Sequence, residues 1–258
     1  MNRHFAIVDL FAGPGGLAEG FSSVISGQTF KPFRIALSIE KESPAHATLL
    51  LRSFLRQFEK ELPREYYNFL NTDSKEPDWA KIYPVEWKAA NQEALKMTLG
   101  DSDAEAVLYE KIEAIRAKHG DDTIVIGGPP CQAYSLVGRA RNRGKQDYVA
   151  EDDPKHYLYR HYIEILGRLR PAAFVMENVK GMLSSSVDGA PIFDRVLEDL
   201  CNAAGRDSYT LLALSPKKDA SRRRQRKPSP SDFILRSEDF GVPQARHRVI
   251  VVLCCKTS

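Results

Sequence analysis

The sequence predicts an α/β fold, with a doubly wound, mainly parallel β-sheet covered by helices. Short apolar runs rich in β-branched residues alternate with amphipathic stretches, which is typical of β-α-β units. The first apolar run passes through a glycine-rich turn directly into a helical pattern. The chain has 258 residues, of which 43% are hydrophobic, enough for one sizeable domain or two small ones.

The first half of the chain is predicted to contain a strand over Phe5–Leu10, a helix from about Leu17, a strand over 33–39, a helix over 44–62 and a helix over 104–118. The helix over 44–62 is predicted because Leu50, Phe54 and Phe58 recur on one helical face. The pattern is weakest between these last two helices. We interpret residues 60–120 as an enlarged helical region within a single domain over 1–258.

The second half is predicted to contain a strand over 123–126, a helix over 156–169, a strand over 172–176, a helix over 192–204 and strands over 209–214 and 248–254. Pro171 ends the first of these helices and Gly205 ends the second. No internal repeat is visible in the sequence, so a repeat architecture is excluded.

The cysteines and the N-terminal residues indicate where the protein resides in the cell and whether it has a metal site. The four cysteines are Cys131, Cys201, Cys254 and Cys255, and no Cys-x-x-Cys pair or His/Cys cluster has metal-ligand spacing. We therefore expect no metal site and no disulfide framework. No secretion signal is visible, and no apolar run approaches the length of a membrane span. These observations favour a cytoplasmic protein without membrane contact.

Basic residues are concentrated in two short segments, although the formal net charge is only +3. Residues 217–227 hold seven basic residues and one acid, and residues 138–145 hold four basic residues and no acid. A Pro-Ser-Pro sequence follows the first of these, which predicts a basic loop over 217–230. Such segments suit contacts to phosphates, and a solvated surface loop is the alternative.

The first motif is Asp9-Leu10-Phe11-Ala12-Gly13-Pro14-Gly15-Gly16-Leu17, between the first strand and the first helix. Glycines let the backbone approach a ligand closely, and the helix N-terminus offers unpaired N–H groups. Glu40, which ends the second strand, can accept hydrogen bonds from a ribose diol. The glycine spacing differs from Gly-x-Gly-x-x-Gly, so the motif favours a nucleoside cofactor over a dinucleotide. A tight structural turn is the alternative.

The second motif is Gly128-Pro129-Pro130-Cys131-Gln132, directly after a predicted strand. The carboxyl ends of parallel strands are where such sheets bind ligands, and adjacent prolines stiffen the turn. A nucleophilic thiol needs nearby positive charge to form the thiolate, and the arginines at 139, 141 and 143 can supply it. A small buried side chain is the alternative interpretation of Cys131.

The third motif is Phe174-Val175-Met176-Glu177-Asn178-Val179, which delivers a carboxylate and an amide to the same edge of the sheet. A carboxylate at the end of an apolar strand tends to be desolvated, which favours its protonated form and lets it donate a proton. A carboxylate that caps a helix or tethers a loop is the alternative.

The fourth motif covers residues 240–248 and leads into the last strand. Strand alternation predicts that Gln244, Arg246 and Arg248 share one face, where their planar donors suit a carbonyl oxygen or a phosphate. Arginines that pair with surface acids are the alternative.

In this order, the four motifs closely resemble those of the DNA cytosine-5 methyltransferase family, over most of the chain. The resemblance implies the class I methyltransferase fold, S-adenosylmethionine as methyl donor, and a cytosine flipped out of double-stranded DNA as acceptor, in a restriction-modification system. Methylation of cytosine in tRNA is the alternative within this family. A DNA- or partner-binding module without activity is the alternative from another class.

The resemblance also assigns roles to individual residues. It places Phe11, Gly13 and Gly15 at the methionine end of the cofactor and Glu40 at its ribose. Asp101, or less well Asp73, corresponds to a contact with the adenine, and Leu158 to a position that packs near the cofactor. Cys131 is the implied nucleophile and Glu177 acts at the cytosine ring nitrogen. Arg246 and Arg248 are implied catalytic residues that support the pocket and its contact with the cytosine carbonyl. The remaining assignments are the substrate-binding residues Pro130, Asn178 and Gln244.

Members of this family continue past the Gln-x-Arg-x-Arg strand with a target-recognition region and a closing motif, whereas this sequence ends shortly after Arg248. We therefore expect the target-recognition region to be absent. A second polypeptide that supplies it, a truncated chain, and a binding module without activity are three explanations that the sequence leaves open.

Overall fold

The computed structural model describes residues 3–72, 75–129, 154–184, 186–187, 190–214 and 228–256. Its strands are, in chain order, β1 (Phe5–Leu10), β2 (Phe33–Glu40), β3 (Ala94–Lys96), β4 (Thr123–Gly127), β5 (Ala173–Val179), β6 (Ser186–Val187), β7 (Ala190–Pro191), β8 (Tyr209–Leu212), β9 (Ile234–Arg236) and β10 (His247–Cys255). Its helices are α1 (Gly16–Ser22), α2 (Ser43–Arg56), α3 (Arg64–Asn71), α4 (Trp79–Ile82), α5 (Pro84–Glu93), α6 (Ser102–His119), α7 (Pro154–Leu169) and α8 (Ile192–Cys201).

The central sheet has the strand order β3-β2-β1-β4-β5-β10-β8, with β9 paired to β10. Strands β1 to β5 are parallel to one another, and β10 runs antiparallel between β5 and β8. The chain first builds outward from β1 to β3 and then returns to place β4 on the other side of β1. This reversal opens a crevice at the carboxyl ends of β1 and β4, where such sheets bind ligands.

Burial on both faces explains why β1 and β4 read as continuous apolar runs. Val8 and Leu10 pack into the larger core with Phe174 and Tyr162, whereas Ile7 packs with Ala18 of α1 on the opposite face. The predicted doubly wound, mainly parallel sheet is therefore confirmed.

The helical region after β2 has an aromatic core of its own. Phe54 of α2 lies 5.0 Å from the ring of Trp79 and 5.5 Å from that of Trp87, measured between ring centroids. Arg56 at the end of α2 pairs with Glu19 of α1 and, at 2.5 Å, with Glu93 of α5. These contacts fasten α4 and α5 to α2 and so to the sheet.

Several boundaries differ from the predicted ones. α2 ends at Arg56 rather than at residue 62, and β5 continues to Val179 because it pairs with β10 as far as Arg248. The short strands β3 and β9 had not been predicted. Among the described helices, none is both long enough and apolar enough to cross a membrane.

Candidate functional site

The turn after β1 bends back through left-handed backbone conformations. Phe11, Gly13 and Gly15 have φ angles of 57°, 57° and 86°. A side chain at Gly15 would begin 2.8 Å from Leu49 Cδ1, so glycine allows α2 to pack against the turn. A Cβ at Gly13 would meet no atom within 4 Å. The turn therefore leaves open space beside Gly13.

Glu40, at the end of β2, holds this turn in place. Its Oε2 accepts a hydrogen bond of 2.8 Å from the N–H of Gly13, and its Oε1 accepts one of 2.7 Å from the N–H of Glu42. Glu40 is buried, so the two bonds form in a protected setting. A carboxylate has about four acceptor positions, and Glu40 thus keeps capacity for further donors.

A cavity of about 240 Å³ lies beside this turn, at the carboxyl ends of β1, β2 and β3. It is lined by Phe11, Ile39, Glu40, Lys41, Met97, Thr98, Leu99 and Gly128. Apolar walls next to one carboxylate suit a flat ring joined to a polar sugar. The wall formed by residues 97–99 is not predictable from the sequence, because the strand before it has only three residues.

A second cavity, of about 600 Å³, adjoins the first, and Phe11 and Gly128 line both. Across it, Glu177 Oε1 lies 2.8 Å from Arg248 Nε, and these two side chains are 30% and 28% exposed. The desolvation predicted for this carboxylate is therefore wrong, because Glu177 keeps contact with solvent and with the guanidinium of Arg248.

Gly128 is the point at which β4 meets Glu177. A Cβ at this position would lie 2.5 Å from the backbone oxygen of Glu177 and 2.9 Å from its Oε2. A larger residue would force the end of β4 away from β5. The glycine therefore brings the start of the Pro-Pro-Cys segment close to the carboxylate.

Asp9 borders the second cavity and is fully buried in β1. No donor among the described residues reaches either of its carboxyl oxygens with hydrogen-bond geometry. The pKa of Asp9 is raised to about 8, mainly by burial; the charge of Arg56 opposes the rise and the charge of Glu40 adds to it. No role is predicted for Asp9 from the sequence, although an acid inside an apolar strand indicates one.

Asn178 is buried and both ends of its amide are used. Its Nδ2 donates to the carbonyl oxygen of Pro129 at 3.1 Å, and its Oδ1 accepts from the N–H of Val179 at 2.8 Å. The amide thus ties the residue before the Pro-Cys pair to β5. Asn178 lines neither cavity, so its role is to hold the Pro-Pro-Cys segment in place.

The predicted shared face of Gln244, Arg246 and Arg248 is wrong, because β10 begins only at His247. The two earlier residues lie in consecutive tight turns, in which Gln244 N–H donates to Val242 and Arg246 N–H donates to Gln244. Both are exposed. Arg246 and Arg248 nevertheless line the second cavity, whereas Gln244 lies outside its lining.

Comparison with known proteins identifies this arrangement. A family model described as C-5 cytosine-specific DNA methylase matches residues 77–258. The chain belongs to the C-5 cytosine-specific DNA methylase family. Membership implies S-adenosylmethionine as the methyl donor of the family's reaction.

Named relatives of this methylase chain are type II methyltransferases. M.Bpa9945I of Bacillus paralicheniformis is 32% identical over 263 residues, which cover 95% of this chain and 52% of the relative. M.AquIA of Picosynechococcus sp. is 34% identical over 141 residues, covering 55% of this chain and 47% of the relative. The methylase chain thus spans about half the length of the curated relatives that it matches.

A solved structure supports the same fold. A candidate DNA modification methyltransferase encoded within an E. coli prophage aligns with 97% of the methylase chain and 47% of its own, with a TM-score of 0.50 and 17% identity. The prediction of a class I methyltransferase fold is confirmed.

Some predicted site residues of the methylase chain lie outside the described residues. They are Asp73, Pro130, Cys131 and the basic segments 138–145 and 217–227. Leu158 belongs to α7, but its side chain is outside the description. Asp101 immediately precedes α6, where its carbonyl accepts from the N–H groups of Ala104 and Glu105, and it does not line the smaller cavity.

Proposed function

We propose that this chain carries the catalytic machinery for transfer of a methyl group to carbon 5 of cytosine in double-stranded DNA, as part of a restriction-modification system in the cytoplasm. The proposal depends mainly on one observation. The cavity beside Glu40 and the cavity beside Glu177 share Phe11 and Gly128, so a methyl donor in the first lies next to a base in the second.

The smaller cavity fits S-adenosylmethionine. Phe11, Ile39 and Leu99 offer apolar walls for the adenine, and Glu40 keeps acceptor capacity for the ribose hydroxyls. Asp9 and the turn residues Ala12, Pro14 and Gly16 line the adjoining second cavity, and the methionine end of the cofactor is proposed to extend toward them. When bound, this cofactor supplies a methyl group on a positively charged sulfur.

The Pro-Cys segment supplies the nucleophile. In the proposed reaction the thiolate of Cys131 forms a bond to carbon 6 of the cytosine, and the ring electrons move to carbon 5, which then becomes nucleophilic. Loss of the carbon 5 proton after methylation expels Cys131 and restores the aromatic ring. Asn178 donates to the carbonyl oxygen of Pro129 and so anchors the chain two residues before Cys131.

Glu177 acts at the edge of the base. Arg248 holds Oε1, and Oε2 lies against Gly128 and faces the region where the ring would sit. Addition of Cys131 drives negative charge toward ring nitrogen 3, and the carboxyl group of Glu177, in its protonated form, is proposed to donate its proton there. The base must leave the duplex to reach this cavity, since its ring faces are covered within the stack.

The test is covalent trapping. The reduced full chain is incubated with S-adenosylmethionine and random-sequence duplex DNA that contains 5-fluorocytosine, since fluorine at carbon 5 prevents the elimination that releases the enzyme. We expect a denaturant-stable adduct that Cys131→Ser abolishes and Cys255→Ser retains. The assay is run alone and with the product of the neighbouring gene, because a second polypeptide is proposed to supply target recognition.

The outcomes separate the alternatives. An adduct in either condition supports the proposal. DNA binding without an adduct in both conditions identifies a binding module and contradicts it. A parallel assay with labelled methyl donor and unmodified tRNA identifies an RNA methyltransferase if only the tRNA becomes labelled.

A further inference from the structure

Three side chains with metal-binding atoms meet between α6 and α7, outside the two cavities. Glu105 projects from α6, and His161 and Glu164 project from α7. One ligand atom from each residue lies within 4.8 Å of those of the other two. His161 Nδ1 and Glu105 Oε1 are already 3.0 Å apart. His161 and Glu164 share a helix face because they are three positions apart.

We propose that Glu105, His161 and Glu164 bind a divalent transition-metal ion of the Zn²⁺ and Co²⁺ class. One imidazole and two carboxylates match the donor set that such ions take in proteins. The ligand atoms of a tetrahedral zinc site are about 3.3 Å apart, so small rotamer changes are sufficient to close the cluster. Within the described residues no other group of three has this arrangement.

The charges around the cluster suit a cation. The two carboxylates can neutralise a divalent ion, but Arg168 now pairs with Glu164 at 3.0 Å. Glu113 lies 3.5 Å from the same guanidinium and offers Arg168 another partner when the ion binds Glu164. The exposed position of Glu164 leaves an entry path for the ion.

A second layer of contacts orients the ligands. The hydroxyl of Tyr109 donates to Glu105 Oε1 at 2.7 Å. Such outer contacts fix the direction of metal-binding carboxylates.

The other ring nitrogen of His161 lies against the loop that forms the smaller cavity. A Cβ at Gly100 would stand 2.7 Å from His161 Nε2, and Leu99 next to it lines that cavity. The proposed ion would therefore stabilise the packing behind the cavity, at a distance from the reacting groups. The inference is independent of the proposed function.

Binding is tested on the reduced full chain by calorimetric titration with Zn²⁺ and by the absorption spectrum with Co²⁺. We expect one tight site, with a Co²⁺ spectrum that lacks thiolate bands and so excludes the cysteines. His161→Gln and Glu164→Gln are each expected to weaken binding more than about tenfold. The matched controls His119→Gln and Glu110→Gln, both on α6, are expected to bind as the parent does.

Circular dichroism without metal shows whether each variant folds, and Glu105→Gln replaces any variant that does not. Parent-like affinity in the cluster variants, a thiolate spectrum, or no binding at micromolar Zn²⁺ would each overturn the proposal.

Discussion

The N–H of Gly13 donates a 2.8 Å hydrogen bond to the buried Oε2 of Glu40, so the turn after β1 is held by the end of β2. The same carboxylate also accepts from the N–H of Glu42 at the start of α2. One side chain thus fixes two backbone segments around the proposed cofactor cavity.

Glu40→Gln should therefore weaken both stability and cofactor binding. An amide keeps one acceptor oxygen but turns an N–H group toward one of the two backbone donors, at a cost of about 1–3 kcal/mol. Urea unfolding and calorimetric titration with S-adenosylhomocysteine measure the two effects. Glu42→Gln, at an exposed position, is the control and should leave both unchanged. Equal behaviour of the two variants would contradict the assigned role of Glu40.

Gly128→Ala should separate the ends of β4 and β5. Its added methyl group would meet the backbone oxygen of Glu177 at 2.5 Å, and relief of that contact is expected to cost about 1–3 kcal/mol. Gly16→Ala is the matched control, since a Cβ there meets no atom within 4 Å. Urea unfolding compares the two. A destabilisation of the same size in both variants is the result that counts against the close approach at Gly128.

Asp9 predicts a pH dependence of stability. Its pKa is about 8 in the folded chain and near 3.8 when unfolded, so folding takes up a proton between these values. The contribution of Asp9 to the free energy of unfolding is fully present below about pH 4 and is lost as the pH rises to about 8. Asp9→Asn should flatten the fall in unfolding free energy between pH 5 and 8, measured in urea without cofactor. Asp207→Asn should retain that fall, since Lys256 lowers the pKa of this exposed acid.

Arg248→Gln should slow covalent trapping by on the order of a hundredfold, because Glu177 loses the cation that orients it. Arg248→Lys keeps the charge without the planar donors and should recover only part of the rate. The measurement is the rate of adduct formation with 5-fluorocytosine DNA at saturating cofactor. Arg195→Gln, on the exposed side of α8, is the control. A normal rate in Arg248→Gln would remove this residue from the proposed machinery.

The basic segment 217–227 is expected to contact the DNA backbone. Replacement of its three consecutive arginines, at 222–224, by glutamine should weaken DNA binding and flatten its salt dependence by about one unit of slope per lost phosphate contact. Fluorescence anisotropy over a series of salt concentrations measures the slope. An unchanged slope with weaker binding would assign these residues another role.

The strand-turn-helix at Asp9 to Leu17 and the position of Glu40 at the end of β2 can be predicted from the local sequence. In both places an apolar run or a group of glycines among neighbouring residues determines the backbone structure. The short strand β3 carries no such signal, because its three residues are held by pairing with β2. The loop at 97–99 and its part in the cavity therefore could not be predicted.

Contacts between distant segments explain the remaining differences. The cluster of Glu105 with His161 and Glu164 depends on how α6 packs against α7, which no spacing in the sequence records. Gln244 and Arg246 lie in turns instead of the strand that was expected there. β10 starts only at His247, where Arg236 of β9 provides a pairing partner. The pairing of Arg248 with Glu177 likewise requires β10 to lie beside β5.

The position of β10 has a consequence for the order of folding. This strand inserts between β5 and β8, both of which precede it in the chain, so β8 cannot join the sheet until residues 247–255 are available. Before that step β5 has an unpaired edge and Glu177 lacks its cation. We therefore expect Glu177 to gain its partner Arg248 only in the step that also adds β8 to the sheet.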